Sequence, residues 1–303
     1  MDQGVPQGSL LGPTCYSIHE NDLPDAVEQP FKDNPTDSRN CAEMFADDTT
    51  AFCIAENIDQ LTPKIQEISS RLQNWSTLNG MVIHPGKTKV MILSKKKIVG
   101  PIQNITMSGR SLEIVDCHKV LGITIDKNLV WKKQLEKVLK HFRTKIKMLK
   151  RMSVLGKEVL TKFYYSTIIP SVLYNITVWG NNCTAISKLD ELHAKAAKLI
   201  YGLPQHMSNI DAILAVGWTT IQYLYKRRVL CLMLKIFYQK IDPQIISMFT
   251  TLEIRHYIEE TIRLQYQANT PLTTKMHLLR GPRKFGMPCL MLLQKSSLTT
   301  NLD

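Results

Sequence analysis

Met44-Phe45-Ala46-Asp47-Asp48-Thr49-Thr50-Ala51-Phe52 is the stretch whose reading decides the fold. Apolar and small residues lead into two adjacent carboxylates, and Thr49, Ala51 and Phe52 lead out. The pattern predicts a β-hairpin whose turn presents Asp47 and Asp48. Neighbouring acids repel, which a fold tolerates in water or where cations neutralise the charge. Divalent magnesium prefers carboxylate and phosphate oxygens, and two-metal phosphoryl-transfer sites hold their ions roughly 3.5–4 Å apart. Aspartate is also a common turn residue, so the stretch taken alone reads first as an ordinary solvated turn. Its neighbours reverse that order.

Upstream, Gly4-Val5-Pro6-Gln7-Gly8-Ser9-Leu10-Leu11-Gly12-Pro13 packs three glycines and two prolines into ten residues, which marks a shaped loop. Pro13 then opens a helix, expected over 13–23. Gly8 lets backbone approach a ligand, and Gln7 supplies an amide able to touch a base or sugar. Residues 25–40 are polar and contain Pro30 and Pro35, so an exposed connection is expected.

Downstream, Thr62-Pro63 reads as a helix start. Ile65, Ile68, Leu72, Trp75 and Leu78 recur at helical spacing up to Asn79-Gly80. Met81-Val82-Ile83 and Val90-Met91-Ile92-Leu93 read as strands around a basic turn carrying Lys87 and Lys89. Either lysine is a candidate phosphate contact, or simply a surface lysine. Val120–Asp126 is expected as one strand, paired with Ser111–Val115.

Residues 131–151 predict a long helix. Trp131, Leu135, Val138, Leu139, Phe142, Ile146 and Leu149 form one stripe, and Lys132, Lys133, Lys137, Lys140, Arg143, Lys145, Lys147 and Lys150 cover the rest. Such a helix is suited to lying along a phosphate backbone, although Lys-rich faces are also commonly just solvated. Helices are expected at about 157–169, 185–201 and 219–240, and a loosely held tail from Pro271. No internal repeat is found.

The charge distribution agrees with two kinds of surface. Residues 1–86 hold 4 Lys/Arg against 13 Asp/Glu, residues 87–151 hold 17 against 4, and residues 152–303 hold 17 against 9. An acidic segment able to hold cations precedes a basic one able to hold nucleic acid through counterion release. The seven cysteines are scattered without zinc-knuckle spacing, as are the histidines, which points to reduced thiols. No apolar run approaches the ~18 residues of a membrane span. The N-terminus lacks a signal-peptide pattern, so an intracellular chain, nuclear or cytoplasmic, is expected.

In order, Gly4-Val5-Pro6-Gln7-Gly8-Ser9, Phe45-Ala46-Asp47-Asp48, Trp75, Gly80–Met91 with Lys87-Thr88-Lys89, and Leu121-Gly122-Ile123 resemble a reverse transcriptase of the non-LTR (LINE-like) retrotransposons. The resemblance is strong over 3–130 and looser to about 202, through Val178-Trp179-Gly180. It implies an α+β fold: a partial polymerase palm with an antiparallel sheet (1–100), a primer-grip-like hairpin (101–130), a helical thumb (131–202) and a C-terminal helical region with a loose tail (203–303).

It further implies that Asp47 and Asp48 are catalytic and hold magnesium. Gln7, Gly8, Ser9, Lys87 and Lys89 would bind nucleotide and template, Leu121 and Gly122 would belong to the primer grip, and Lys132, Lys133, Lys137 and Lys140 would face the duplex. The substrates of such enzymes are an RNA template, a DNA primer and deoxynucleoside triphosphates, joined by in-line attack of the primer 3′-hydroxyl on the α-phosphate. No protein partner is implied.

The departures are equally specific. These enzymes need a third carboxylate on a strand preceding the Gly-Val-Pro-Gln segment, and this chain opens immediately before that segment. The aspartate, the nucleotide-binding fingers and an endonuclease domain are therefore expected to be missing. His19 and Glu20 stand where apolar or aromatic residues are usual, a costly place for a charge, and His84 replaces a more usual asparagine. The leading expectation is a polymerase fragment inactive by itself. The alternatives are a nucleic-acid-binding remnant that uses the basic thumb and, last, an active polymerase completed by another chain.

Overall fold

The computed structural model describes residues 8–31, 40–94, 102–181, 183–247, 258 and 289–295. In chain order its elements are α1 (Gly12–His19), α2 (Leu23–Val27), β1 (Asn40–Phe45), β2 (Asp48–Ile54), α3 (Ile58–Leu78), β3 (Lys89–Leu93), β4 (Thr106–Met107), β5 (Arg110–Ser111), β6 (Glu113–Ile114), β7 (Cys117–Val120), β8 (Ile123–Asp126), α4 (Lys132–Arg151), α5 (Lys157–Phe163), a π-helical turn (Tyr164–Ile168), α6 (Ile169–Val172), α7 (Ile176–Trp179), α8 (Cys183–Tyr201), α9 (Asn209–Ala215), α10 (Ile221–Phe237), α11 (Pro243–Ser247) and β9 (Cys289–Lys295). The fold mixes helix and strand, as expected. Met1–Val130 with Leu279–Asp303 form one unit and Trp131–Leu278 a second.

In the first unit a five-stranded sheet runs β1-β2-β9-β3-β6. All neighbours are antiparallel except β3 and β6. Along β2, Thr49, Ala51 and Cys53 are buried while Asp48, Thr50, Phe52 and Ile54 are half-exposed, the period-two signature of a sheet with one covered face. The core joins Ala51 and Cys53 to Leu61, Ile65, Ile68 and Leu72 of α3, each fully buried. Each such side chain contributes about 1.5–3 kcal/mol.

The helix starts earlier than Thr62-Pro63 suggested. Asn57 is the cap, its side chain accepting from the Gln60 N–H at 2.9 Å, and Pro63 lies inside the helix. At the other end Met81 N–H donates to Ser76 O and Gly80 N–H to Thr77 O, with Gly80 at φ +66°. That is a Schellman stop, with glycine in the one conformation the motif needs. It explains why Met81–Ile83 is not the expected strand: its backbone closes the helix instead of joining the sheet.

Two further expectations change. Residues 25–31 are only in part an exposed connection: Asp25, Glu28, Gln29 and Pro30 are exposed, but Val27 and Phe31 are buried. Arg71 holds this segment by donating to the carbonyls of Val27, Gln29 and Pro30. Residues 32–39 lie outside the described residues. Val120–Asp126 is not one strand but a turn and part of a hairpin: β7 and β8 pair with each other across Leu121-Gly122. Both turn residues have positive φ, 45° and 87°, so the chain reverses where an unbroken strand was expected. The tail also departs from expectation, since Cys289–Lys295 is a strand inside the sheet.

In the second unit, α4 packs against α8 and α6. Val138, Leu139, Phe142 and Leu149 are buried as the stripe predicted, while Gln134 is buried and Leu135 and Ile146 only partly so. A buried aromatic stack forms the centre. The Tyr164 and Trp218 rings lie 4.9 Å apart and nearly parallel, with His193 beside both. Tyr164 Oη lies 2.6 Å from His193 Nδ1, and His193 Nε2 lies 3.1 Å from Thr219 O. A neutral imidazole satisfies both if Nε2 donates to the carbonyl and Nδ1 accepts from the phenol. Burial accordingly pushes the His193 pKa down to about 4. Close by in sequence, Asp190 accepts from the N–H groups of Ile221 and Gln222, and burial raises its pKa to about 6. Gly180, in the Trp179-Gly180 segment, sits so close to Ile176 O that an added Cβ would stand 2.4 Å from it.

Tyr164→Phe, which leaves His193 Nδ1 without its donor, is expected to cost about 1–3 kcal/mol in urea unfolding. The pH dependence has two opposing parts. His193 has a depressed folded pKa, so its contribution is complete above about 6.5 and is lost as pH falls toward about 4. Asp190 has a raised pKa, so its protonation returns stability as pH falls from about 6 toward 3.8. Asp190→Asn removes only the second part, and its stability is expected to fall more steeply than the parent's between pH 6 and 4 in unfolding curves taken across that range.

Candidate functional site

The acid pair sits where β1 hands over to β2. Phe45 and Asp48 are register partners, so Ala46 and Asp47 alone make the turn. Asp47 is exposed at the tip and Asp48 is half-exposed as the first residue of β2. Ala46 has φ 51°, a left-handed conformation that costs a residue with a Cβ about 1–2 kcal/mol. The strain keeps the reversal to two residues and sets both carboxylates at one end of the ladder.

Three further groups share the electrostatics of this corner. Glu20, at the end of α1, is buried; Tyr16 Oη donates to one of its oxygens, and the other has no hydrogen-bond partner among the described residues. Burial raises its pKa, the Tyr16 bond and the His19 charge pull it back, and the Asp47 charge pushes it up again. On β7, burial lowers the His118 pKa, the Lys89 charge lowers it further and Asp48 opposes both. Lys89 itself is ion-paired with Glu113 on the neighbouring strand. Reaching a phosphate would require Lys89 to give up that pair.

The other predicted residues are placed as follows. Gln7 lies outside the described residues. Gly8 has φ +84° with open space around it, and Ser9 Oγ accepts from Gly12 N–H at 3.0 Å, securing the entry to α1. Lys87 is exposed in the turn before β3. Leu121 and Gly122 are exposed at the β7–β8 turn. In the second unit Lys132, Lys133, Lys137 and Lys140 are all exposed on α4, as are Arg143, Lys147, Lys150 and Arg151. The first turn of α4 holds no acid and two lysines. Cations at a helix N-terminus oppose its dipole, so this arrangement does not serve helix stability; it suits an anion.

Among the described residues no three His, Cys, Asp or Glu side chains gather into a metal-holding group. Asp47 and Asp48 are two hard carboxylates, the oxygen donors that magnesium prefers. No helix among the described residues is long and apolar enough to cross a membrane.

The family profile described as "Reverse transcriptase (RNA-dependent DNA polymerase)" matches residues 1–125, a span that contains the acid turn, the sheet strands β1–β3 and most of the β7–β8 hairpin. Residues 1–125 are similar to the reverse transcriptase family. The curated proteins to which this segment and its continuation are similar are RNA-directed DNA polymerases, or probable ones, from Drosophila mobile elements. The polymerase from mobile element jockey of Drosophila melanogaster is 27% identical over 213 residues, 69% of this chain and 23% of the relative. Its Drosophila funebris counterpart is 27% identical over 216 residues, 70% of this chain and 23% of the relative. The probable polymerase from transposon BS of Drosophila melanogaster is 26% identical over 213 residues, 68% of this chain and 23% of the relative. The matched part of this chain thus corresponds to about 23% of the length of these relatives. No solved structure matches.

Ala46→Gly is expected to relieve the turn and raise stability by roughly 0.5–1 kcal/mol, read as a shift in the urea midpoint. A lower midpoint would mean that the left-handed turn is not present in solution.

Proposed function

We propose that this chain is a retrotransposon reverse transcriptase polypeptide whose acid turn is part of a nucleotidyl-transfer site and whose α4 grips nucleic acid, and that the chain by itself does not polymerise. The observation that carries the reading is the acid pair at a strained two-residue turn inside a segment that matches the reverse transcriptase profile. In that reading Asp47 and Asp48 hold divalent magnesium, which supplies charge stabilisation to the attacking and leaving oxygens when bound. The substrates would be an RNA template, a DNA primer and deoxynucleoside triphosphates, with Gln7, Gly8 and Ser9 toward nucleotide and template and Leu121-Gly122 toward the primer end. Lys87 or Lys89 would approach the triphosphate, Lys89 by giving up its pair with Glu113. The reading of inactivity rests on the donor set: among the described residues no three His, Cys, Asp or Glu side chains gather into a metal-holding group.

The exposed cations of α4 support the nucleic-acid part independently of catalysis. Each phosphate contact by a lysine adds about 0.9 to the slope of log affinity against log salt.

Purified chain with an RNA template, an annealed DNA primer and magnesium is expected to give no primer extension. Incorporation that disappears in Asp47→Asn would show instead that the chain polymerises unaided. Charge reversal of Lys132, Lys133, Lys137 and Lys140 together is expected to weaken binding to an RNA–DNA duplex by more than about tenfold and to flatten the salt slope by about 3.6. Unchanged binding would remove α4 from the interface.

A further inference from the structure

α4 does not run straight into α5. Met152 N–H donates to the carbonyls of Met148 and Leu149, and a turn follows in which Ser153 N–H reaches Lys150 O at 3.4 Å and Leu155 N–H reaches Met152 O at 2.9 Å. From Ser153 to Val159 every residue is exposed, Val154 by 92%. Several other hydroxyls of the second unit are held by helices. Those of Thr144, Thr161 and Ser171 donate to the carbonyls of Lys140, Lys157 and Ile168, and Ser208 and Thr220 cap α9 and α10. Ser153 instead lies in the turn past the end of α4. It is preceded by exposed cations: Arg151 two residues back, Lys150 three and Lys147 six. In the whole sequence no other serine or threonine has basic residues at both the second and the third preceding positions.

We propose that Ser153 is a phosphate acceptor for a serine/threonine protein kinase that selects basic sequences, and that the phosphate weakens the hold of α4 on nucleic acid. The second half rests on the reading of α4 as a nucleic-acid grip; the first half stands on the turn alone. A kinase chooses its acceptor segment by charge pattern, and the segment must leave its local fold to enter the enzyme. Opening is cheapest where exposed backbone bonds and few buried contacts hold the chain, which describes Ser153 to Val159. The phosphate comes from ATP. Ser153 Oγ attacks the γ-phosphorus and forms a new O–P bond, the bond from that phosphorus to the β–γ bridging oxygen breaks, ADP leaves, and the hydroxyl proton passes to the kinase's base. The product carries a charge of about −1.5 to −2. The negative end of the α4 dipole disfavours an anion there, so the phosphate turns to the cations beside it, Lys150 and Arg151, and occupies them. Two cations removed from the basic face correspond to about 1.8 in the slope of log affinity against log salt.

The test incubates the full chain with ATP and cyclic-AMP-dependent protein kinase, an enzyme that selects basic sequences, and maps the phosphate by mass spectrometry. Ser153→Ala and the double variant Lys150→Ala with Arg151→Ala are treated alongside. Binding to an RNA–DNA duplex is then measured across a range of salt for the unmodified chain, the phosphorylated chain and the charge reversal of Lys132, Lys133, Lys137 and Lys140. The expected result is phosphate on Ser153, incorporated at least about tenfold more slowly in the double variant. Duplex binding is expected to weaken by at least about threefold on phosphorylation, with the salt slope flattened by about 1.8, and to recover after phosphatase treatment. No phosphate on Ser153, or equal incorporation in the double variant, overturns the acceptor site. Phosphorylation that leaves duplex binding unchanged, while the lysine reversal weakens it, overturns the regulatory role. If Ser153 is phosphorylated but neither change alters duplex binding, the reading of α4 as a grip fails, the regulatory role falls with it and the acceptor site stands.

Discussion

Backbone pairing across one borrowed strand holds the first unit together. β2 and β3 carry the acid turn and Lys89, and each completes its ladder on β9 rather than on the other. A two-stranded ribbon is marginal in water, so β1 and β2 alone do not make a platform. With β9 in place the sheet is wide enough for α3 to lay its apolar stripe across it, and Ile65, Ile68 and Leu72 leave solvent entirely. The position of the carboxylates therefore depends on residues far away in sequence.

Charge is handled differently in the two units. In the first, charges are gathered and tensioned: two acids at a strained turn, a buried carboxyl at Glu20 that Asp47 pushes toward its neutral form, and a lysine tied to Glu113. In the second, the cations of α4 stand outward on a helix whose other face is sealed by Val138, Phe142 and Leu149. One arrangement suits an ion or a developing charge at a point; the other suits a long polyanion.

The elements legible in the sequence are those written by side-chain period. The stripe Ile65–Trp75 announces α3, the alternation after Asp48 announces β2, and the Lys-rich stripe announces α4, because in each case burial repeats at 2 or about 3.6 residues. What is not legible is decided by backbone bonding that side chains barely record. Met81-Val82-Ile83 has strand composition, yet its first N–H closes a helix. Val120–Asp126 looks continuous, yet Leu121 and Gly122 turn it through two positive φ angles. Cys289–Lys295 carries an apolar run, but nothing local says that its partners lie near residues 50 and 90. At the site, the carboxylates can be read directly, whereas the strain at Ala46, the coupling of His118 to Asp48 and the engagement of Lys89 by Glu113 emerge only from three-dimensional proximity. Glu20 stands out in the sequence as a costly charge; its burial against Tyr16 gives that cost a location.

The late position of β9 also dictates an order of events during synthesis. A ribosome delivers β1, β2, α3 and β3 first, then all of the helical unit, and only afterwards the strand that joins the sheet's two halves. The usual vectorial sequence, in which the leading domain matures before the trailing one, is inverted: the helices of the second unit are able to close on themselves while β2 and β3 still offer bare edges. Between the synthesis of β3 and that of β9, β2 and β3 lack the strand that joins them in the finished sheet.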